Sequence, residues 1–268
     1  MLNNIFRHIS AERTDEKNGA LLPTFYQHQK VYAFCKKFIK NKTVIEIGCG
    51  SGSGAYMLAS FAKNVIGIDN DILTINENSR RHKKDNLAFQ CYDIRSLEKN
   101  TFKNKADVAI SLQVIEHLPD PNDLLKKIKL LLKKDGVFIL STPNGLTQSY
   151  NENPYHYKEC SRGELLQLLL RYFKFVEIYG LCGDSLVNAY EEQRRKNVLR
   201  VLSLDVLNLR RFIPRRVMQV LFDIATYASR TLIKNNSDTF STISEKDYKI
   251  VKSFDGAIDL IAICRNVR

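Results

Sequence analysis

Short apolar runs alternate with amphipathic segments through the first two thirds of the chain. Runs rich in β-branched and aliphatic residues predict strands at 43–48, 64–69, 87–93, 106–113 and 137–142. Segments with apolar positions three or four residues apart predict helices at 24–39 and near 161–171, and another that ends at Gly136. Strands that alternate with helices in this way indicate a mostly parallel sheet covered on both faces.

The alternation breaks in the last third of the chain. A sixth strand is predicted at 173–179 and a seventh at 257–264, whereas the segment between them predicts two or three helices. The pattern predicts an α/β, Rossmann-like doubly wound fold with seven strands and a helical insertion before the last strand. The corresponding parts are an N-terminal helical lid at 1–40, a cofactor-binding domain at 41–184, a basic insertion at 185–250 and a terminal strand segment at 251–268.

The positive charge of the chain is concentrated in the predicted insertion. The 268 residues carry a formal net charge of +12. The segment 194–234 holds ten basic and two acidic residues, a net charge of +8. Such a cluster favours an anionic partner: a phosphorylated substrate, a lipid surface or a nucleic acid. Because the N-terminus does not resemble a secretory signal and no apolar run reaches about 18 residues, we expect a cytoplasmic protein.

A glycine-rich turn follows the first predicted strand. The stretch EIGCGSGSG at 46–54 places Gly48, Gly50 and Gly52 in a G-x-G-x-G pattern before a helix. Turns of this kind hold nucleotides in doubly wound sheets. A shifted frame that ends at Ala55 gives G-x-G-x-x-A, so an NAD-dependent oxidoreductase is one alternative.

Three acidic residues narrow the choice of cofactor. Glu46 lies within the first strand, Asp69 ends the second and Asp93 ends the third. A carboxylate at Glu46 would repel a pyrophosphate but attract a cationic amino-acid group. Asp69 is spaced to accept both ribose hydroxyls, and Asp93 is placed to reach an adenine amino group. S-adenosylmethionine combines these three features.

These motifs resemble those of the class I S-adenosylmethionine-dependent methyltransferases. The resemblance is carried by EIGCGSGSG at 46–54, IGID at 66–69, YD at 92–93, VIEHLPDP at 114–121 and the terminal strand. It implies the class I fold, S-adenosylmethionine as cofactor and S-adenosylhomocysteine as product. The residues that it assigns to the cofactor are Glu46, Gly48, Cys49, Gly50, Gly52, Asp69, Asn70, Asp93, Ile94 and Gln113. A regulatory protein that binds the cofactor without turnover is a second alternative.

Glu116 and His117 are candidate catalytic residues just after the fourth predicted strand. Methyl transfer needs a general base only for a poor nucleophile such as a hydroxyl group. Their stretch resembles a loop of the ubiquinone O-methyltransferases, in which acidic residues and the histidine have been linked to metal binding. Because the upstream acid of that loop is Gln113 here, we predict no metal. A pair that only shapes the loop is the alternative.

His156 is the other candidate base. It lies in NENPYHYKEC at 151–160, which resembles the N-P-[FY]-H segment of bacterial methyltransferases that act on glycans and related cell-surface intermediates. By this resemblance His156 faces the methyl acceptor, and an exposed loop histidine is the alternative. In the first helix, His28 and Tyr32 are placed to touch the cofactor or acceptor, although Tyr32 also fits a core-facing aromatic stripe.

The basic insertion contains an amphipathic helix at 209–234. Its apolar face holds Val217, Leu221, Ile224, Ala228 and Leu232. We expect this face to pack on its own domain. The alternative is an interfacial helix that brings the site to lipid-linked or anionic saccharide substrates at a membrane. A nucleic acid partner is disfavoured because the segment lacks an RNA-binding motif and carries few aromatic residues.

The sequence therefore predicts a methyltransferase that O-methylates a sugar, a glycan or a lipid-linked cell-surface intermediate. Peripheral contact with the inner face of the membrane is part of this hypothesis. A quinone or a small natural product is the alternative acceptor.

Overall fold

The computed structural model describes residues 22–94, 104–147, 153–203, 213–236 and 238–266. Its strands are β1 (Thr43–Ile47), β2 (Asn64–Asp69), β3 (Leu87–Cys91), β4 (Ala106–Leu112), β5 (Leu132–Pro143), β6 (Phe175–Gly183), β7 (Tyr248–Val251) and β8 (Asp259–Arg265). Its helices are α1 (Leu22–Ile39), α2 (Ser53–Leu58), α3 (Ile72–Arg81), α4 (Pro121–Leu131), α5 (Arg162–Leu170), α6 (Ser185–Ser203) and α7 (Arg215–Asn236), and 3-10 turns lie at Ile115–His117, Asp238–Thr242 and Glu245–Asp247.

The strands form one mixed sheet in the order β3-β2-β1-β4-β5-β8-β6-β7. The first five strands are parallel, and β8 runs antiparallel between β5 and β6. The strand order reverses between β1 and β4, and in doubly wound sheets this switch point opens the ligand crevice at the carboxyl ends of the strands. The predicted α/β, Rossmann-like doubly wound fold is confirmed.

The sheet has eight strands in the described part of the chain, one more than predicted. The additional strand β7 lies inside the predicted insertion and pairs with β6 at the edge of the sheet. It has only four residues and lacks a clear alternation, which concealed it. Its buried Tyr248 donates a hydrogen bond to the Pro23 carbonyl at 2.8 Å and so joins this edge to the start of α1.

The fourth helix ends earlier than predicted. It stops at Leu131 rather than at Gly136, because the chain turns into β5 at Leu132. Leu132 is buried beside β4, and the extended chain brings Lys133 Nζ to 2.9 Å from Asp107 Oδ1. Burial of the apolar side chain and this ion pair account for the longer strand.

Two packed layers cover the sheet. On one face α1 buries Val31, Cys35 and Ile39 against residues of β1, β4 and β5. On the other face α4 and α5 pack over the same sheet. Helix α5 begins with the predicted cap, in which Ser161 and Glu164 satisfy each other's backbone N–H groups.

The insertion forms two long helices, α6 and α7, which contact each other. The expected packing of the apolar face of 209–234 is wrong for Val217, Leu221 and Ile224, whose side chains remain exposed. Positions 209–212 and the side chains of Ala228 and Leu232 lie outside the described residues. Within the described ranges, no helix combines the length and the hydropathy that crossing a bilayer requires.

Candidate active site

A cavity of about 190 Å³ lies at the switch point, between the ends of β1 and β4 and beneath α1. Three segments form its wall: the glycine-rich turn with the start of α2, the end of β4, and one side of α1. The described lining residues are Phe25, His28, Gln29, Tyr32, Gly48, Cys49, Gly50, Ser51, Ser53, Gly54, Met57, Leu112 and Gln113. The predicted cofactor residues Gly48, Cys49, Gly50 and Gln113 therefore lie together in one wall.

The glycine-rich turn needs glycine for two different reasons. Gly50 has a φ of 48°, and the space where its Cβ would stand is open, so the backbone itself faces the cavity. Gly54 allows α1 to approach, since a Cβ there would collide with the Tyr32 ring. Gly52 lies behind the wall, where a Cβ would come within 2.8 Å of Asn78 Cγ. This close approach seats the turn against α3, and the predicted contact of Gly52 with the cofactor stays a prediction.

Glu46 is a buried acid beside the turn. Its Oε1 accepts a hydrogen bond from the Tyr32 hydroxyl at 2.5 Å, and its Oε2 has no partner among the described residues. Burial raises the pKa of Glu46 to about 8, although hydrogen bonds from the Tyr32 hydroxyl and the Ala55 backbone N–H oppose this shift. A buried acceptor oxygen without a donor is costly, and a cationic ligand group would satisfy it. This unpaired oxygen is the observation that fits the ammonium group of S-adenosylmethionine.

Asp69 ends β2 next to the turn. Its two carboxylate oxygens accept the backbone N–H groups of Gly50 and Asp71, each at 3.0 Å. Each oxygen retains a lone pair with which it could accept a ribose hydroxyl. Helix α3 is capped by the neighbouring Asp71, whose side chain accepts from Leu73 N at 3.1 Å, so Asp69 is not needed as a helix cap.

The remaining predicted cofactor residues lie outside the cavity wall. Asn70 is exposed, and Asp93 is partly buried after β3. Ile94 packs in the hydrophobic core with Ile47 and Ile68, so core burial rather than an open ligand site explains its apolar side chain.

A second polar cluster, formed by Glu116, His117 and His156, lies past the end of β4. The two imidazole rings meet edge to face with centroids 4.8 Å apart. His117 Nδ1 lies 3.3 Å from the Tyr155 carbonyl, and the Tyr157 N–H donates to the Glu116 carbonyl at 2.7 Å. These contacts fold the loop 153–157 onto the 3-10 turn that carries Glu116 and His117. The three predicted catalytic residues are therefore neighbours, although neither histidine is among the described residues that line the cavity.

Hydrogen bonds assign the tautomer of His156. The Tyr155 N–H donates to Asn153 Oδ1 at 3.0 Å, which orients the amide and presents its Nδ2 to His156 Nε2 at 2.9 Å. Nε2 must therefore accept, and Nδ1 donates to Glu159 Oε1 at 2.7 Å. A neutral imidazole that donates to a carboxylate through Nδ1 is the arrangement of a general base, provided that the acceptor hydroxyl takes the place of the Asn153 amide on Nε2.

Glu116 is buried beneath the two histidines. Its Oε2 accepts a hydrogen bond from the Thr142 hydroxyl at 2.9 Å, and its Oε1 has no partner among the described residues. Burial raises the pKa of Glu116, while the charges of His117 and His156 favour its ionised form. The carboxyl group is only 1% exposed, and its predicted catalytic role stays a prediction.

The same cluster is the one group in the described part of the chain that could hold a metal ion. One ligand atom each of Glu116, His117 and His156 lies within 4.8 Å of the others. Two imidazoles and one carboxylate form a common donor set for transition metals. The absence of a metal therefore stays a prediction.

Sequence reasoning missed Asp259, which joins the cavity wall to α1. Its Oδ2 accepts hydrogen bonds from Gln27 Nε2 at 2.7 Å and from Gln113 Nε2 at 3.1 Å. Burial raises the pKa of Asp259 to about 7. The signal available in the sequence was a single acid at the start of an otherwise apolar strand, AIDLIAIC.

Sequence reasoning also missed the contact between the loop 153–157 and α7. The Tyr155 hydroxyl donates to Asp223 Oδ2 at 2.6 Å, and the Tyr155 ring meets the Phe222 ring edge to face. Two residues 68 positions apart gave no sequence signal of this pairing. The insertion thus holds the loop that carries His156.

Residues 39–201 match a family model described as a methyltransferase domain. The chain belongs to this methyltransferase family. This confirms the resemblance that the sequence motifs carried, and it decides against the NAD-dependent oxidoreductase. Named relatives give S-adenosylmethionine as the cofactor, as predicted.

One relative is a probable S-adenosylmethionine-dependent methyltransferase of Mycolicibacterium smegmatis, 34% identical over 152 residues, which are 54% of this chain and 56% of the relative. Another is a ubiquinone biosynthesis O-methyltransferase of Coxiella burnetii, 30% identical over 114 residues, which are 42% of this chain and 48% of the relative. The chain thus spans about half the length of the curated relatives that it matches.

Solved structures share the fold. A possible histamine N-methyltransferase from Thermotoga maritima superposes with a TM-score of 0.55 at 15% identity. The match covers 90% of this chain and 92% of the Thermotoga maritima chain. The [4+2]-cyclase SpnF superposes with a TM-score of 0.57 at 16% identity, and the match covers 90% of this chain and 81% of SpnF. One fold thus carries different chemistries, and the acceptor must be argued from the site.

Proposed function

We propose that this protein transfers the methyl group of S-adenosylmethionine to a hydroxyl oxygen of a sugar, a glycan or a lipid-linked cell-surface intermediate, with His156 as the general base. The observation that carries the proposal is the hydrogen-bond chain from Glu159 through His156 to Asn153. It supports a neutral histidine whose Nε2 accepts a hydrogen bond from Asn153 and would take a proton from an acceptor hydroxyl that displaces this amide.

When bound, S-adenosylmethionine supplies a methyl group on a positively charged sulfur. His156 Nε2 would take the proton that the acceptor hydroxyl loses as it receives this methyl group, and S-adenosylhomocysteine would be the product. The resulting imidazolium keeps its hydrogen bond to Glu159 and lies near the buried Glu116. Both carboxylates stabilise that charge in a site with little water.

The residues on the cofactor side of the site would bind S-adenosylmethionine and orient it. Glu46 would hold the ammonium group, Asp69 the ribose and Asp93 the adenine amino group. Helix α1 covers the cavity, and Asp259 fixes it to Gln113 in the wall. Such a cover excludes water from the reacting groups, which strengthens the electrostatic interactions inside.

Two features support an anionic or lipid-linked saccharide as acceptor: the N-P-Y-H resemblance of the loop and the +8 charge of the segment 194–234. A quinone or related phenol is the second candidate, favoured by the Coxiella burnetii relative. Both acceptors present a hydroxyl group, so both are consistent with a histidine base. The cytoplasmic location remains a prediction.

His28 is the rival base, because it lines the cavity directly. The His28→Gln and His156→Gln variants form a matched pair for separating the two roles. The proposal expects His156→Gln to abolish most transfer and His28→Gln to affect chiefly the binding constants. The reverse result would assign the role of general base to His28 of α1.

The acceptor is tested with methyl-labelled S-adenosylmethionine and a host lysate. After incubation with the purified protein, label is counted in the lipid, polysaccharide, small-molecule, protein and nucleic-acid fractions. Label in the lipid or polysaccharide fraction that His156→Gln removes supports the proposal. Label confined to small molecules favours the quinone or natural-product acceptor, and no label in any fraction favours a protein that binds the cofactor without turnover.

A further inference from the structure

Helix α7 carries its apolar side chains on the outside. Val217, Leu221 and Ile224 occupy positions i, i+4 and i+7, so they share one helix face. Their side chains are 49%, 47% and 49% exposed. By contrast, the acidic Asp223 of the same helix is only 5% exposed and binds the Tyr155 hydroxyl. This distribution is the reverse of the one expected for a helix on the surface of a water-soluble domain.

The reversed orientation is fixed by a specific contact. The hydrogen bond between Tyr155 and Asp223 is 2.6 Å long, and the Tyr155 ring packs on Phe222. Rotating α7 to bury its apolar face would leave Asp223 without its buried partner and would release the loop that carries His156. The apolar face is therefore presented outward by the same interaction that holds the candidate catalytic loop.

The charge of the surrounding sequence identifies the partner. The segment 194–234 has a net charge of +8, and two Arg–Arg pairs, at 210–211 and 215–216, stand just before or at the start of α7. An exposed apolar helix face within a basic stretch of sequence matches the two attractions of an anionic bilayer, which are burial in its interfacial layer and neutralisation of its headgroups. No described helix has the length and apolar content to span a bilayer, so α7 would lie in the plane of the surface.

We propose that α7 is an interfacial helix that docks the protein on anionic membranes through Val217, Leu221 and Ile224, and that the net positive charge of the sequence around this helix selects anionic lipids. The hydrogen bond from Tyr155 to Asp223 then holds the loop that carries His156 against the side of α7 that faces away from the membrane. The proposal goes beyond methyl transfer, since docking requires neither S-adenosylmethionine nor an acceptor.

The test is co-sedimentation of the full chain with vesicles of phosphatidylcholine alone and of phosphatidylcholine mixed with phosphatidylglycerol. We expect binding to the mixed vesicles only, with loss of binding at high salt, because surface charges are screened. The double variant Leu221→Gln with Ile224→Gln should bind roughly tenfold more weakly or worse, because two apolar side chains no longer leave water. The control Leu170→Gln changes a side chain that is 50% exposed on α5 and should bind as the wild type does.

Circular dichroism and the cofactor affinity of the double variant establish that it is folded. Equal binding by wild type and double variant, equal binding to neutral vesicles, or no binding by the wild type would each overturn the proposal. Sedimentation of the protein without lipid tests the main alternative, in which the apolar face of α7 binds a second copy of the chain. A wild-type dimer together with a monomeric double variant would favour that alternative and overturn the proposal. Failure of docking would leave the methyl-transfer assay unchanged, so the two proposals fail separately.

Discussion

The cofactor cavity and the acceptor cluster are built in different ways. The largest share of the cavity wall comes from one continuous turn, residues 48–54, which follows a core strand, and the rest comes mainly from α1. The cluster of Glu116, His117 and His156, together with the contacts that support it, comes from three separate parts of the chain: the turn after β4, the loop 153–159 and helix α7. Hydrogen bonds of polar side chains join these parts. The comparison teaches that cofactor binding rests on a feature of the shared fold, whereas acceptor chemistry depends on contacts particular to this chain.

The largest expected effect is the loss of methyl transfer in His156→Gln, a variant that should still bind the cofactor normally. We expect His156→Gln to reduce the rate of methyl transfer roughly 10²- to 10⁴-fold, the range that a general base contributes. Its affinity for S-adenosylmethionine should equal that of the wild type, because the side chain is outside the described cavity wall. Calorimetry and a radiolabel assay measure the two quantities. A variant that transfers methyl groups normally would remove His156 from the mechanism.

The converse change is on the cofactor side. Asp69→Ala removes the acceptor of the Gly50 N–H and the predicted ribose contact, so we expect cofactor affinity to fall by roughly 30-fold or more. The transfer rate at saturating cofactor should change little. The matched control is Asp71→Ala, which removes a helix cap at a cost of about 1 kcal/mol in folding free energy but leaves the cofactor contact. If both variants bound the cofactor equally, Asp69 would be only structural.

A pH dependence sharpens the role of Glu46. Because burial raises its pKa to about 8, the free protein carries a neutral Glu46 below that pH, whereas a bound ammonium group favours the carboxylate. Binding therefore releases a proton below pH 8, and affinity should rise with pH and level off above about 8. In Glu46→Gln this rise should be absent and affinity at high pH about tenfold lower. Calorimetry in buffers of different ionisation enthalpy detects the released proton, and parallel pH profiles of the two proteins would contradict the assignment.

Tyr155→Phe breaks the link between the acceptor loop and α7. It removes the hydrogen bond that the buried Asp223 carboxylate accepts from Tyr155, at a cost of roughly 1–3 kcal/mol in folding free energy. We expect a several-fold lower transfer rate, because His156 loses part of its support, and an unchanged cofactor affinity. Thermal unfolding and initial rates measure both. A variant with wild-type rate and stability would show that the contact does not hold the loop.

The smallest expected effect is that of metal removal. Both ring nitrogens of His156 already have hydrogen-bond partners, Glu159 and Asn153, so a metal ligand role would require the loop to rearrange. We expect dialysis against a chelator to leave the rate unchanged. A loss of activity that a divalent cation restores would turn the Glu116, His117 and His156 cluster into a metal centre.

The sequence predicted what depends on local pattern. The five parallel strands, the capping box at Ser161 and the turn at 48–54 follow from short-range spacing, so they could be located without coordinates. The eighth strand was missed because four residues carry too little pattern. The Asp259 bridge and the contact between Tyr155 and Asp223 were missed because they join positions that only the folded topology brings together.

The outward face of α7 shows a different limit of sequence reasoning. Periodicity located the apolar stripe of Val217, Leu221 and Ile224, but periodicity cannot say whether a stripe faces the core or the outside. The deciding feature is one buried acid on another face, Asp223, whose partner lies far away in the sequence.

The most direct test of the separation between cofactor and acceptor regions compares Asp69→Ala and His156→Gln side by side. For each variant, the dissociation constant of S-adenosylmethionine and the rate of methyl transfer at saturating cofactor are measured with the labelled lysate fraction. The account predicts weak binding with a near-normal rate for Asp69→Ala, and normal binding with a lost rate for His156→Gln. Loss of both quantities in both variants would contradict it, because the two regions would then form a single site.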